Sequence, residues 1–407
     1  MLLSLFPAKQ RSAPEARVQT VVRRSATTDF SLTGLIYCAL MLFMGLAALN
    51  SQANLLFGVF GLMIGILLVT FVISRMGVRR ISVQRALPEF AVVGAPAMIS
   101  YELRNDKRYW PSLSVTISEL DAADAFVRQP KAYMLHAAPR MTAVVGAEVV
   151  PRRRGVHSFD RFRLSTSFPF GFVKRAIALR RRESVLVFPA LAEVDPKLLA
   201  MMKSADSMGT TTRPRRGGSD EFYGIKEYRP GESPRLIYWR RSARTGTLVI
   251  KEMSHVSPPK LLLVVDTYAT GDSSVRRTQV ERCIAQAASL ASAACDQGLS
   301  VGLVAWSDAW VRMGPNRGKR QRRELLSALA RLANNSMHAI DKVLAETAEL
   351  QGPATTIVVF TPDDVELNLG QRVHGGQFVI QCDSPQARRW FRFAPTVDFS
   401  HCMPQEA

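Results

Sequence analysis

From Phe30 to Ser74 the chain carries no charged residue. Two apolar runs fill this window, TGLIYCALMLFMGLAAL over Thr33–Leu49 and LLFGVFGLMIGILLVTFVI over Leu55–Ile73, with the polar turn NSQAN between them. A bilayer core takes about 20 apolar residues in helical form. The pattern predicts two transmembrane helices, 33–49 and 55–73, in a hairpin over residues 31–75. The competing fold is a helical hairpin buried in a soluble protein. The opening MLLSLF is too short, and too soon followed by charge, to be a signal peptide. Gly61 and Gly65 form a GxxxG pair through which the helices would approach closely.

Charge then sets an orientation. Lys9, Arg11, Arg17, Arg23 and Arg24 precede the first run; Arg75, Arg79, Arg80 and Arg85 follow the second; the turn between them is neutral. The positive-inside rule puts both ends in the cytoplasm, at an inner membrane, with residues 1–30 as a cytoplasmic N-terminal segment. The whole 407-residue chain has a formal net charge of +19. That excess favours anionic partners: nucleic acid, anionic lipid or an acidic protein face. Cys38, Cys283, Cys295, Cys382 and Cys402 are odd in number and show no metal-ligand spacing, so they read as reduced, mostly buried thiols.

Residues 80–190 change to a period of two. MISYELR alternates Ile99, Tyr101 and Leu103; LSVTISEL alternates Leu113, Val115 and Ile117; FRLST and SVLVFP continue the pattern. Short alternating segments broken by Pro, Gly and Asp predict an antiparallel β-sandwich, Ig-like in class. We find in it no cluster of His, Cys or carboxylates, and expect a spacer or scaffold. PRRRG (Pro151–Gly155) reads as a solvated turn. Residues 191–217, with a short helix and then a basic, Gly-rich stretch, read as a linker.

From residue 257 to 407 the pattern is α/β. KLLLVVD, LSVGLVAW, TTIVVFT and QFVIQC are apolar runs of the kind buried on both faces, and they alternate with Ala-rich or amphipathic helices. This predicts an open, mostly parallel Rossmann-type sheet, whose ligands sit at the carboxyl ends of the strands. Two strand ends there carry aspartates, Asp266 in VVDTYATGD and Asp363–Asp364 in VVFTPDD. Either they share a divalent cation, or Asp266 caps the next helix and Asp363 opens a turn. The nucleotide motifs fail: GPNRGKR is one residue short of a P-loop, no GxGxxG follows a strand, and no GxSxG elbow occurs. We find no nucleophile-and-base set, and expect no enzyme and no catalytic residue.

Between sandwich and α/β unit, residues 218–256 include EYRPGESPRLIYWRRSARTG, rich in arginine, tyrosine and tryptophan. That mixture suits a nucleic-acid surface. However, Glu221, Glu227, Glu232 and Glu252 alternate with the arginines, whereas phosphate-tracking surfaces avoid carboxylates. Pro230, Gly231 and Pro234 make rigid turns, and Arg and Trp are enriched at protein hot spots. We expect a protein-docking element. The alternatives are that Trp239 buries against the sandwich while Arg235 pairs with Glu232, or that basic charge serves nucleic acid or anionic lipid.

Taken together, these residues resemble the bacterial domain-of-unknown-function 58 family. Its signature is matched by Glu227, Tyr228, Gly231, Glu232, Arg235, Trp239, Ser242, Ala243 and Arg244, with Tyr238 where the family usually has aspartate. SFPFGF (Ser167–Phe172) resembles its Pro-Phe-Gly turn. DTYAT resembles the DxSxS element of von Willebrand factor A domains, with Tyr268 replacing the middle serine. The resemblance implies a membrane-anchored protein with a von Willebrand factor A-like domain, and at most a weak Mg2+ site at Asp266, Thr270 and Asp363. It also implies an adaptor role beside a MoxR-type AAA+ ATPase, with no established catalytic activity.

Overall fold

The computed structural model describes residues 25–401 apart from 122, 210–220, 231–232, 255–259, 270–273, 335, 337, 339, 348–349, 351–354 and 364–375. Strand β1 (Ser25–Phe30) leads directly into helix α1 (Leu32–Ser51), and Gln52 in the left-handed region turns the chain into α2 (Asn54–Gly77). Both helices are long and apolar enough to cross a membrane. Leu35, Leu42, Phe43, Leu55, Leu62 and Leu68 lie exposed on them, which no hairpin buried in a soluble core would show. The close approaches fall elsewhere than the GxxxG pair: Gly61 and Gly65 face open space, whereas Gly45 lies under the Phe60 ring and Gly34 under the Phe172 carbonyl. Gly61 and Gly65 are on the side of α2 turned away from α1, so that expectation is corrected.

Next come β2 (Ile81–Ala86), β3 (Phe90–Val92), β4 (Ala97–Asn105), β5 (Ser112–Glu119), β6 (Lys131–Ala137), β7 (Thr142–Val149), β8 (Gly155–Thr166) and β9 (Val173–Phe188). They form two sheets, β1-β9-β8-β5-β6 with β3 added beside β9, and β2-β4-β7. Every pairing is antiparallel except that of β3 with β9. The alternating residues Ile99, Tyr101, Leu103, Val115 and Ile117 point into one core shared by both sheets. Period-two patterning put them there, because a strand sends alternate side chains to opposite faces.

Beyond the sandwich, β10 (Glu193–Val194) and α3 (Pro196–Gly209) precede β11 (Glu221–Glu227), α4 (Trp239–Thr245) and β12 (Val249–Ser254). Leu198, Leu199 and Met202 are fully buried in the α/β core. The expected linker over 191–217 is therefore corrected: its first half is a core helix, with an apolar face at helical spacing, and residues 210–217 lie outside the described residues. The α/β unit then runs β13 (Lys260–Val265), α5 (Ser274–Asp296), β14 (Ser300–Trp306), β15 (Trp310–Asn316), α6 (Lys319–Arg331), α7 (Ile340–Thr347), β16 (Thr355–Thr361), β17 (Gln377–Gln381), α8 (Pro385–Trp390) and β18 (Phe391–Arg392). Its sheet has the order β15-β14-β13-β16-β17. All pairings are parallel save that of the edge strand β15, which runs antiparallel to β14.

Helices α3, α5 and α6 cover one face of this sheet and α7 the other. Helix α5 is buried on nearly all sides because it is sandwiched twice. Ile284, Ala287, Ala288 and Ala291 face the parallel sheet, while Ala285 joins the sandwich core. The chain end ties the same units: Phe391 belongs to the α/β core and Phe399 to the sandwich core.

Candidate functional site

The signature segment forms a small platform. Strands β11 and β12 pair antiparallel, from Glu227 opposite Val249 to Glu221 opposite Ser254, with a bulge between Phe222 and Gly224. Among the described residues this ribbon pairs with neither larger sheet. Ser242 locks α4 onto it: the buried hydroxyl accepts from Val249 N at 3.0 Å and donates to Tyr238 O at 3.1 Å. Tyr238 N donates to Val249 O at 2.8 Å, Tyr228 N to Leu248 O at 2.8 Å, and Gly246, at φ 70°, ends the helix. The ring of Tyr238 lies 4.7 Å from the Lys251 ammonium, a cation–π contact for the residue that stands in the aspartate position.

What Ser242 holds rigid points outward. Trp239 is 65 % exposed, Leu236 and Leu248 are exposed, and so are Glu227, Arg235, Arg240, Arg241 and Arg244. Trp239 thus does not bury against the sandwich, and that alternative is corrected. Gly231 and Glu232 lie outside the described residues, so the Arg235–Glu232 pairing does too.

The strand ends give a second cluster. Asp266, at the end of β13, is buried: its carboxylate accepts from Tyr268 N at 2.9 Å and from the Thr361 hydroxyl at 3.2 Å. Burial pushes its carboxyl up, and the Tyr268 N–H, the Arg276 guanidinium and Thr361 pull it down. Asp363, past β16, is 54 % exposed and lies across from it. The sheet brings these two aspartates to one edge, as their strand-end positions foretold, but Arg276 lies between them. It donates through both terminal nitrogens to Asp363, 2.9 Å for Nη2, sits 3.8 Å from Asp266, and donates through Nε to Tyr268 O at 3.0 Å. Thr270 lies outside the described residues. Among the described residues no three His, Cys, Asp or Glu side chains gather in a metal-binding group.

Three further charged residues have roles that only the fold shows. Arg154, in the run PRRRG whose composition suits a solvated turn, is 1 % exposed. Its guanidinium reaches from the sandwich into α5, donating to both Glu281 oxygens at 2.7 and 2.6 Å and to the Leu329 and Leu332 carbonyls. Asn334 completes the pair, 3.1 Å from Glu281. Arg85, counted among the membrane-flanking cations, is instead in the sandwich core, between Glu119 at 2.7 Å and Glu183 at 2.8 Å. Tyr101 donates to Glu119 at 2.8 Å. The sandwich therefore does contain a carboxylate pair, organised around an arginine, contrary to our sequence reading. Lys107 holds the end of α2, donating to the Met76 and Gly77 carbonyls at 2.9 and 3.0 Å.

SFPFGF has a structural role at the same junction. The turn wedges between the two apolar helices: Ser31 caps α1, accepting from Gly34 N at 3.1 Å and donating to Gly171 O, and Ser74 donates to Phe168 O at 2.9 Å. Tyr37 stacks on Phe172 at 4.2 Å. The hairpin is therefore docked on the sandwich by the start of α1 and the end of α2.

These features define a class: a sheet-rich, mixed body carrying two apolar helices and an exposed basic–aromatic platform. Residues 224–365 match the family model described as "Protein of unknown function DUF58". The segment from the platform to just past β16 thus belongs to that family. No curated protein matches the chain. Among solved structures, a CARDB domain from Pyrococcus furiosus is similar at 13 % identity over 26 % of this chain and 94 % of that one, with a TM-score of 0.18. At that score the architecture is argued from the strand order above and not from the likeness.

Proposed function

We propose that this chain is a two-pass, membrane-anchored adaptor of the bacterial inner membrane, its soluble units cytoplasmic, and that its signature platform docks an acidic face of a MoxR-type AAA+ ATPase. The observation that carries this is the exposed Trp239 held on α4 among Arg235, Arg240, Arg241 and Arg244. None of these four arginines has an ion-pair partner among the described residues. A rigid aromatic ringed by free guanidinium forks is suited to a carboxylate-bearing partner, because each fork can take a carboxylate in two parallel hydrogen bonds. The sandwich is read as Ig-like and the α/β unit as von Willebrand factor A-like, both acting as frames and not as catalysts. The membrane reading is supported by Arg75, Arg79 and Arg80 just past α2, and by exposed Tyr109, Trp110 and Phe170 near that end, the residue types that sit at a headgroup layer.

The test uses the full chain in detergent, immobilised, with a purified MoxR-type ATPase. Wild type should retain the ATPase, and R235A/R244A should lose it while keeping its melting temperature, since both side chains face solvent. A melting temperature that falls with the binding would make the arginines packing elements. Tight, steeply salt-dependent binding of an oligonucleotide, weakened by the same pair, would replace this reading with a nucleic-acid one; anionic vesicles captured by a helix-deleted chain would replace it with a lipid one.

A further inference from the structure

We propose that Arg276 is a resident cation, standing where the von Willebrand factor A likeness would place a divalent ion. Three observations support the assignment. First, the guanidinium takes the space between the aspartates: one edge meets Asp363 in a two-pronged pair, Nη2 lies 3.8 Å from the buried Asp266, and Nε is given to the Tyr268 carbonyl. A Mg2+ ion needs oxygens at about 2.1 Å in near-octahedral array, and one bridging these carboxylates would coincide with the guanidinium. The described residues do not fit the ion.

Second, Arg276 is in the first turn of α5, which begins at Ser274 and has no acidic residue in that turn. A cation there opposes the positive end of the helix dipole, so its position needs a compensating negative charge. The two strand-end aspartates supply it. Third, the side chain is 17 % exposed. A planar guanidinium that gives donors in three directions can join α5 to the ends of β13 and β16 as a metal joins loops, at a smaller dehydration cost than Mg2+ and with no dependence on ion concentration. The end of the sheet is then organised permanently and needs no metal. This inference is separate from the docking reading, because its readout is ion dependence and not partner capture.

The experiment measures melting of the full chain in detergent, with EDTA and with millimolar Mg2+ or Mn2+. Wild type should melt at the same temperature in all three. R276A should melt lower, because it leaves Asp266 buried beside Asp363 with no cation. Mg2+ or Mn2+ should then raise it toward wild type, and D266N in that background should abolish the rise. R276K, which keeps a point charge but loses the fork, should fall between and ignore the ions. Wild type that is destabilised by EDTA through Asp266 would overturn the proposal. So would R276A melting like wild type, or lowered R276A that responds to neither ion. If R276A fails to fold, the wild-type and R276K responses decide.

Discussion

Replacing Arg154 with methionine keeps most of the side chain's bulk and removes its charge from a place where nothing else can supply one. The guanidinium makes two contacts with Glu281, at 2.7 and 2.6 Å, and satisfies the Leu329 and Leu332 carbonyls. Without it, the Glu281 carboxylate keeps the Asn334 amide at 3.1 Å and is otherwise enclosed by the interface of the two units. Breaking one partner out of a buried ion pair costs about 3–5 kcal/mol. Protonating the survivor reduces that cost to the lost hydrogen bonds, about 1–3 kcal/mol. The deficit must therefore depend on pH. Burial pushes the Glu281 carboxyl up to about 7, against the pull of Arg154 and Asn334. A carboxyl raised in the folded state binds its proton more readily there, so its contribution is fully present below the unfolded value and is lost as pH rises through the folded one. In the wild type that loss ends near pH 7. In R154M the downward pull of Arg154 is gone, the folded value climbs, and the loss continues upward by about 1.4 kcal/mol per pH unit. Urea unfolding of the detergent-solubilised chain, followed by circular dichroism, should give a modest R154M deficit near pH 6 and a larger one at pH 8. Adding E281Q should recover part of the pH 8 deficit. A deficit below about 1 kcal/mol and flat across that range would refute the argument, since only a solvated arginine behaves so.

Two other expectations follow from the end of the molecule that carries the two apolar helices. A reporter active only outside the cytoplasm, fused after Ala407, should be silent, and activity there would invert the topology read from the flanking arginines. Burial lowers the Lys107 amine to about 8; a lysine depressed in the folded state contributes stability above its unfolded value near 10.5, which is lost as pH falls toward 8. K107M should therefore flatten the dependence of melting temperature on pH between those values, and an unchanged slope would show that Lys107 does not hold the end of α2.

The sequence by itself determined the elements whose signal is local. Forty-five consecutive uncharged residues from Phe30 to Ser74 gave two helices, with bounds extended by a few residues in the structure. Alternation at Ile99, Tyr101 and Leu103 gave sandwich strands, and the unbroken apolar run of Lys260–Val265 gave a central parallel strand. The signature and the strand-end aspartates were also legible, because their spacing is short. Tertiary structure alone decided what the cations do. Arg152, Arg153 and Arg154 are consecutive and chemically identical, yet only Arg154 is buried, because only it meets a carboxylate 127 positions further on. Arg276 finds Asp363 87 positions away, and Arg85 finds Glu119 and Glu183 across the sandwich. A charged side chain looks like solvated surface until the fold presents its counter-charge, and burying it is tolerable only once that counter-charge and its hydrogen bonds are in place. Periodicity carries burial of apolar groups; the pairing of charges is a property of the assembled chain.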